Sequence, residues 1–260
     1  MELLFTPEIG IPILLFCMGI LAGLIDAIAG GGGLIAVPSL LFAGVPPVVA
    51  LGTNRMQACI GELTSFIAYA KYGQFNFSGL IYGVISVAIG AALGTISVSY
   101  IPTDFLEFLL PIMMIAIILY VLFSKRLKET EQGRAVLSIK KFMIFVGFAI
   151  GFYNGFFGPG TGTFWMISFI ALLGYTIKQA TINTKPLNLM GNFISLISFA
   201  WLGMVNYKFG LIMGAGQILG SILGSYLVVK DGNRIVRPIF IGVTILITCK
   251  VLYDFAVKFL

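Results

Sequence analysis

Eight apolar runs recur along the chain, near 10–28, 48–70, 79–99, 104–124, 141–157, 180–202, 207–229 and 236–257. A helix needs about 20 apolar residues to cross roughly 30 Å of hydrocarbon, and there its backbone groups must be satisfied within the segment. The runs predict an all-α membrane protein of about eight transmembrane helices. Charged residues make up only 10% of the 260 positions, against about a quarter in a soluble domain. No cleavage site of small residues follows the start, which has Glu2 and Glu8 but no cation, so the first run is expected to stay in the mature protein.

Two shorter apolar pieces, near 34–43 and 162–173, follow the first and fifth runs. They are too short to cross alone and read as half-helices or re-entrant pieces. Each is preceded by a glycine cluster, AGGGGL from Ala29 and FGPGTGTF from Phe157. Four adjacent glycines inside an apolar segment mark a place where the helix stops or something comes close to the backbone.

The two clusters align. Setting GLIDAIAGGGGL from Gly23 on GFYNGFFGPGTG from Gly151 places Gly30 on Gly158, Gly32 on Gly160 and Asp26 on Asn154. After a two-residue insertion the match continues, with Arg55 on Lys185, Gly61 on Gly191, Ser65 on Ser195, Gly90 on Gly220 and Gly94 on Gly224. The shared order is an apolar run, a glycine break, a short apolar piece, a span opened by a cation, and then Gly-x-x-x-Gly. It predicts two homologous four-helix halves, each with a Gly-broken first helix: a repeat over 1–124, a basic linker over 125–140 and a second repeat over 141–260. The Gly-x-x-x-Gly pairs read as sites of close helix approach in lipid.

The linker and its border hold Lys125, Arg126, Lys128, Arg134, Lys140 and Lys141 against Glu129 and Glu131. Such a cluster beside membrane spans belongs on the cytoplasmic side; it is too short, and too closely flanked by membrane, for a nucleic-acid surface. Four crossings on either side of it would make both termini cytoplasmic and leave Lys230, Arg234 and Arg237 outside. An odd number of crossings per half would make the halves inverted repeats instead. Cys17, Cys59 and Cys249 read as small core residues without a pairing pattern, and the absence of His excludes a His-ligated metal.

Charges inside spans cost at least about 2.5–3.5 kcal/mol each and mark function by default. Asp26, Arg55, Glu62 and Lys185 are the deep ones. Arg55 and Glu62, seven residues apart, share a helix face about 10 Å apart along the axis, too far for an i,i+4 pair. Arg55 lies in GTNRMQ and Lys185 in INTKPLN, so each half offers a cation beside Thr and Asn: Thr53 and Asn54, then Asn183 and Thr184. Two such elements facing one another would bind an oxyanion. The breaks would add backbone N–H groups at Gly31, Gly32, Gly33, Gly160 and Gly162, with Thr161 and Thr163 as hydroxyl donors. Neither break ends in the Lys-Ser/Thr of a phosphate-binding loop.

These stretches, GLIDAIAGGGGLIAVPSLL with PPVVALGTNRMQ and GFYNGFFGPGTGTF with ATINTKPLN, resemble the sulfite exporter TauE/SafE family over about 11–257. The resemblance implies a multi-pass inner-membrane transporter of sulfite, sulfonates or related organosulfur anions. The family's signature stretches correspond here to Gly30–Gly33 with Pro38, Thr53–Arg55, Gly158–Gly162 and Asn183–Lys185. The form Gly158-Pro159-Gly160-Thr161-Gly162 departs from a plain glycine run.

The expected protein is thus a secondary transporter, an exporter by its resemblance, with one anion site between two repeats and no cofactor. Its partners are a small anion, the lipid bilayer and, through Asp26 and Glu62, a coupling proton or sodium ion. An anion channel is the near alternative. A membrane enzyme or assembly factor is the distant one, since Ser39, Ser65 and Ser195 have no His to act as base.

Overall fold

The computed structural model of the protein describes residues 7–71, 75 and 79–102, parts of 104–116, and 133–230. These residues are helical apart from turns and connections, with no strand among them. In chain order the helices are α1 (Pro7–Ala29), α2 (Gly33–Phe42), α3 (Pro47–Ala70), α4 (Leu80–Ser99), α5 (Ile139–Phe156, π-helical over Phe142–Val146), α6 (Thr161–Leu173), α7 (Ile177–Trp201) and α8 (Tyr207–Lys230). Each matches an expected span or short piece to within three residues at either end. The spans expected near 104–124 and 236–257, and most of the linker, lie wholly or largely outside the described residues.

Helices α1, α4, α5 and α8 are long and apolar enough to cross a membrane. Helices α3 and α7, of 24 and 25 residues, reach about 36 Å but carry polar side chains on their buried faces. They form the centre of the bundle, and the apolar helices carry the exposed Ile, Leu and Phe side chains expected against lipid.

Local signals explain the ends. A Pro46–Pro47 pair opens α3, where a missing N–H is harmless. Thr176 and Gln179 form a reciprocal capping box at the start of α7, and Gly174 closes α6 at φ +68°. The first break turns at Gly30, φ +68°; the second turns at Gly158, φ +89°, and Gly160, φ +80°.

At each break the chain folds back. Ala22 and Ala36, and Leu15 and Leu40, share one apolar cluster, so α2 returns alongside α1. The Phe142 ring packs at a tilt against Trp165 and Phe169, and the backbone N–H groups of Val136 and Leu137 donate to the Leu172 carbonyl, so α6 returns to the end where α5 began. The short pieces are therefore the returning arms of hairpins. As a result α3 starts at the end of the bundle from which α1 started.

Close glycine contacts fix the directions. Gly19 meets Met213 and Gly23 meets Gln217, while Gly210 meets Met56 and Gly214 meets Ile60, so α1, α3 and α8 run parallel. Gly90 meets Phe148 and Gly94 meets Phe152, while Gly83 meets Leu187 and Gly191 meets Val87, so α4, α5 and α7 run parallel. The two trios are antiparallel, because Glu62 pairs with Asn188 while Arg55 pairs with Asn192. Gly90 and Gly94 pack on α5 and Gly220 and Gly224 pack on α1, backbone to backbone, which is the close approach their spacing predicts. Cys17, expected in the core, is exposed on the outer face of α1, and Cys59 is half-buried. Cys249 lies outside the described residues.

Candidate functional site: two cation clusters between facing helix breaks

The two breaks meet at the centre. A Cβ on Gly30 would lie 2.4 Å from the Gly162 backbone, and one on Gly33 would lie 3.0 Å from Pro159. Only glycine allows both the positive φ of Gly30 and this approach. The Thr163 hydroxyl ties the two together by donating to the Ala29 carbonyl at 2.9 Å.

Each buried cation reaches across to the opposite trio. Lys185 on α7 donates from Nζ to the Asp26 carbonyl at 2.5 Å and lies 3.3 Å from Glu62 Oε2 and 3.8 Å from Asp26 Oδ2. Arg55 on α3 donates from Nη1 to Asn192 Oδ1 at 3.2 Å and from Nη2 to the Asn154 carbonyl. Asn154 stands at the position matching Asp26, and Asn192 at the position matching Glu62. The geometry is thus shared and the charge is not: Lys185 faces two carboxylates, and Arg55 faces two amide residues. All four ionisable side chains are buried, and Arg55 and Lys185 are each 1% exposed.

The second break is moulded on Arg55. A Cβ at Gly158 would come within 1.7 Å of Nη1 and 2.1 Å of Nη2, so the guanidinium occupies the space a side chain would need. The Arg55 Nε has no partner among the described residues. Asn154 extends the amide network, donating from Nδ2 to Asn188 Oδ1 at 3.2 Å, while Asn188 Nδ2 donates to Glu62 Oε1 at 2.5 Å. Asn188 therefore bridges the two clusters.

Several nominated donors are engaged within the protein. The Gly32 N–H donates to Asp26 Oδ1 at 3.1 Å. The Thr161 hydroxyl donates to the Gly158 carbonyl, Thr184 to the Ala180 carbonyl and the Asn183 amide to the Gln179 carbonyl. Thr53 Oγ1 accepts from the Asn206 N–H, and Asn54 Oδ1 accepts from Gln57. Gly33 and Gly162 pack against the opposite break, whereas Gly31 faces Ile25 and Leu34 of its own half, and Gly160 is the left-handed residue that opens α6. The structure thus brings Asp26, Glu62 and Lys185 into one cluster, sets Arg55 in another, and uses the flanking Thr and Asn residues mainly to hold the helices.

Sequence reasoning missed Asn154, Asn188 and Asn192 as site residues. Asn192 was within reach of it, since it follows Lys185 by the same seven residues that separate Glu62 from Arg55.

The sulfite exporter TauE/SafE family model matches residues 15–251. The chain belongs to that family. A probable membrane transporter protein of Haemophilus influenzae is 39% identical over 249 residues, covering 95% of this chain and 97% of the relative. A second, from a Sinorhizobium species, is 38% identical, with 92% of both chains covered. The probable membrane transporter YfcA of Escherichia coli K12 is 37% identical over 92% of this chain and 89% of its own. No solved structure matches the transporter significantly. Family and relatives make it a multi-pass membrane transporter and not an enzyme.

Proposed function

We propose that this TauE/SafE transporter is a secondary carrier of a small oxyanion of the sulfite or sulfonate class, an exporter by its family's description, and that Arg55 is the group the anion meets. The carrying observation is the inequality of the two cations. A buried charge without a counter-charge is held at a cost of several kcal/mol. Among the described residues no carboxylate lies within ion-pairing distance of Arg55, whereas two lie near Lys185. An oxyanion supplies the missing charge, and a planar guanidinium beside the Asn154, Asn188 and Asn192 amides suits its geometry.

The carrier consists of two inverted repeats, 1–124 and 141–260, joined by the basic linker, and rocking of the halves about the central site exposes it to each side in turn. The inverted directions support this reading. They also bring Lys71, Lys178 and Lys230 to the linker's end of the bundle: Lys178 Nζ donates to the Val229 carbonyl, and α3 ends at Lys71 parallel to α8. Those cations then share the cytoplasmic side with the linker, as the positive-inside rule asks of an inner-membrane protein.

The test is a thermal-shift screen of the purified protein against sulfite, sulfate, thiosulfate, sulfoacetate and simple carboxylates, repeated on Arg55→Ala. Stabilisation by one oxyanion at low concentration, lost in Arg55→Ala, is the expected result. Counterflow of that anion in proteoliposomes, saturable for a carrier and not for a channel, completes it. Equal stabilisation and transport in Arg55→Ala overturn the assignment.

A further inference from the structure

Nine buried side-chain polar atoms make no hydrogen bond of good geometry among the described residues, and seven of them lie on the facing surfaces of α1, α3 and α8: Asp26 Oδ2, Glu62 Oε2, Ser65 Oγ, both amide atoms of Gln217, Ser221 Oγ and Ser225 Oγ. Gln217, Ser221 and Ser225 recur every four residues, so they form one stripe on α8, and each is fully buried. The stripe begins at the Gln217 amide, packed on Gly61 beside Glu62. It passes Gly23, where a Cβ would lie 3.0 Å from the Ser221 N–H nitrogen. It ends at Ser225, beside the Tyr69 hydroxyl, near the end of α3 that carries Lys71.

The matching helix of the other trio has nothing like it. At positions 130 residues earlier α4 carries Val87, Ala91 and Thr95, and Thr95 is satisfied by the Gly155 carbonyl at 3.2 Å. Buried hydroxyls and amides without protein partners are the groups that ordered water bridges, and chains of hydroxyls and water conduct protons. At the head of the stripe, Asp26 Oδ2 and Glu62 Oε2 belong to neighbouring carboxyls, lie 3.8 Å and 3.3 Å from Lys185 Nζ, and accept no hydrogen bond of good geometry. Two neighbouring buried carboxyls are satisfied when they hold one proton between them.

We infer that the Gln217–Ser221–Ser225 face of α8 is a proton route from the linker side to the Asp26–Glu62 pair, and that one proton moves with each anion. This rests on the anion-carrier reading above. The groups that face the pair are Lys185 on α7 and Cys59 and Tyr69 on α3; Arg55, with Tyr153 beside it, belongs to the neighbouring cluster, and α2, α6 and α8 present no charged side chain to the pair. With all four deep charges ionised, Asp26, Glu62, Arg55 and Lys185 sum to zero. With one proton held by the pair they sum to +1, which a monoanion at Arg55 neutralises. Anion and proton then favour one another's binding, and the loaded carrier is electroneutral. The proton enters from water, resides on the carboxyl pair during the conformational change and leaves to water on the far side. Net movement follows the sum of the anion and proton gradients.

The experiment uses the full chain in proteoliposomes with methanesulfonate, a monoanion that carries no proton of its own. Counterflow at equal pH reports anion exchange, and a trapped pH dye reports protons moved during net flux. Wild type is expected to show both, at about one proton per anion. Ser221→Val/Ser225→Val is expected to retain counterflow within about twofold and to lose at least tenfold of the net flux and its dye signal. Net flux in wild type without proton movement, or unchanged proton movement in the double variant, overturns the route. Absence of methanesulfonate counterflow in wild type overturns the sulfonate-class reading beneath it. A second measurement does not depend on transport by the double variant. In a background freed of the native cysteines, Ser221→Cys and Ser225→Cys are expected to react with a small water-soluble thiol reagent, and Ala91→Cys on α4 to stay inert. Equal inertness at all three positions overturns the route.

Discussion

Lys185 and Arg55 occupy matching places on α7 and α3, and each contacts the two aligned positions of the opposing trio. Where Lys185 finds Asp26 and Glu62, Arg55 finds Asn154 and Asn192. Two exchanges of carboxylate for amide separate an ion-paired cluster from a buried cation with only amide and carbonyl partners among the described residues. Two places with matching contacts thus differ in the charge of the side chains that fill them.

The sharpest way to break this comparison is to remove each cation. Lys185→Met leaves two buried carboxylates facing each other without a counter-charge, and we expect a loss of about 3–5 kcal/mol, seen as a large fall in the thermal midpoint in detergent. Adding Glu62→Gln to that variant removes one negative charge and should recover at least half of the loss. Arg55→Met strands only amide and carbonyl acceptors, so its stability loss is expected at about 1–3 kcal/mol, while anion binding falls at least a hundredfold. Similar stability losses for the two substitutions would erase the distinction.

Next in size is Gly158→Ala. Its Cβ would overlap the Arg55 guanidinium, and φ +89° is strained for any L side chain. A loss of about 2–3 kcal/mol is expected, together with weaker anion binding because the guanidinium must shift. Gly203→Ala is the control. It shares a positive φ, +69°, but has open space around it, so it should cost about 1 kcal/mol and leave anion binding intact.

Much of this arrangement can be read from the residues. The spans, the breaks and the matches Asp26–Asn154 and Arg55–Lys185 follow from hydropathy and from the order of glycines. The direction of α2 and α6 does not, because a 10- or 13-residue apolar piece has the same pattern whether it continues across the membrane or turns back. The partners of Lys185 were also hidden, since Asp26 lies 159 residues away in sequence and Glu62 123. Sequence periodicity reports on one helix at a time, and both ion clusters are built between helices. Gln217, Ser221 and Ser225 were passed over because three small or neutral residues barely disturb the hydropathy of α8; they become visible only when their burial is known.

The smallest expected effect concerns the residues that the sequence placed beside the cations. Thr184 donates its hydroxyl to the Ala180 carbonyl at 2.8 Å, four residues back on its own helix, and that carbonyl can also accept the backbone N–H of the helix ladder. Thr184→Val keeps the shape and β-branching and removes one hydroxyl whose net worth is about 0.5–1.5 kcal/mol. The expected result is a change in thermal midpoint of a few degrees at most and an anion affinity within twofold of wild type. Loss of affinity comparable to Arg55→Met would mean that this hydroxyl leaves the helix to meet the anion, and the site would then extend from the Arg55 cluster to the Lys185 side as one two-cation pocket. An unchanged affinity keeps the anion at Arg55 and leaves Lys185 to the carboxylates.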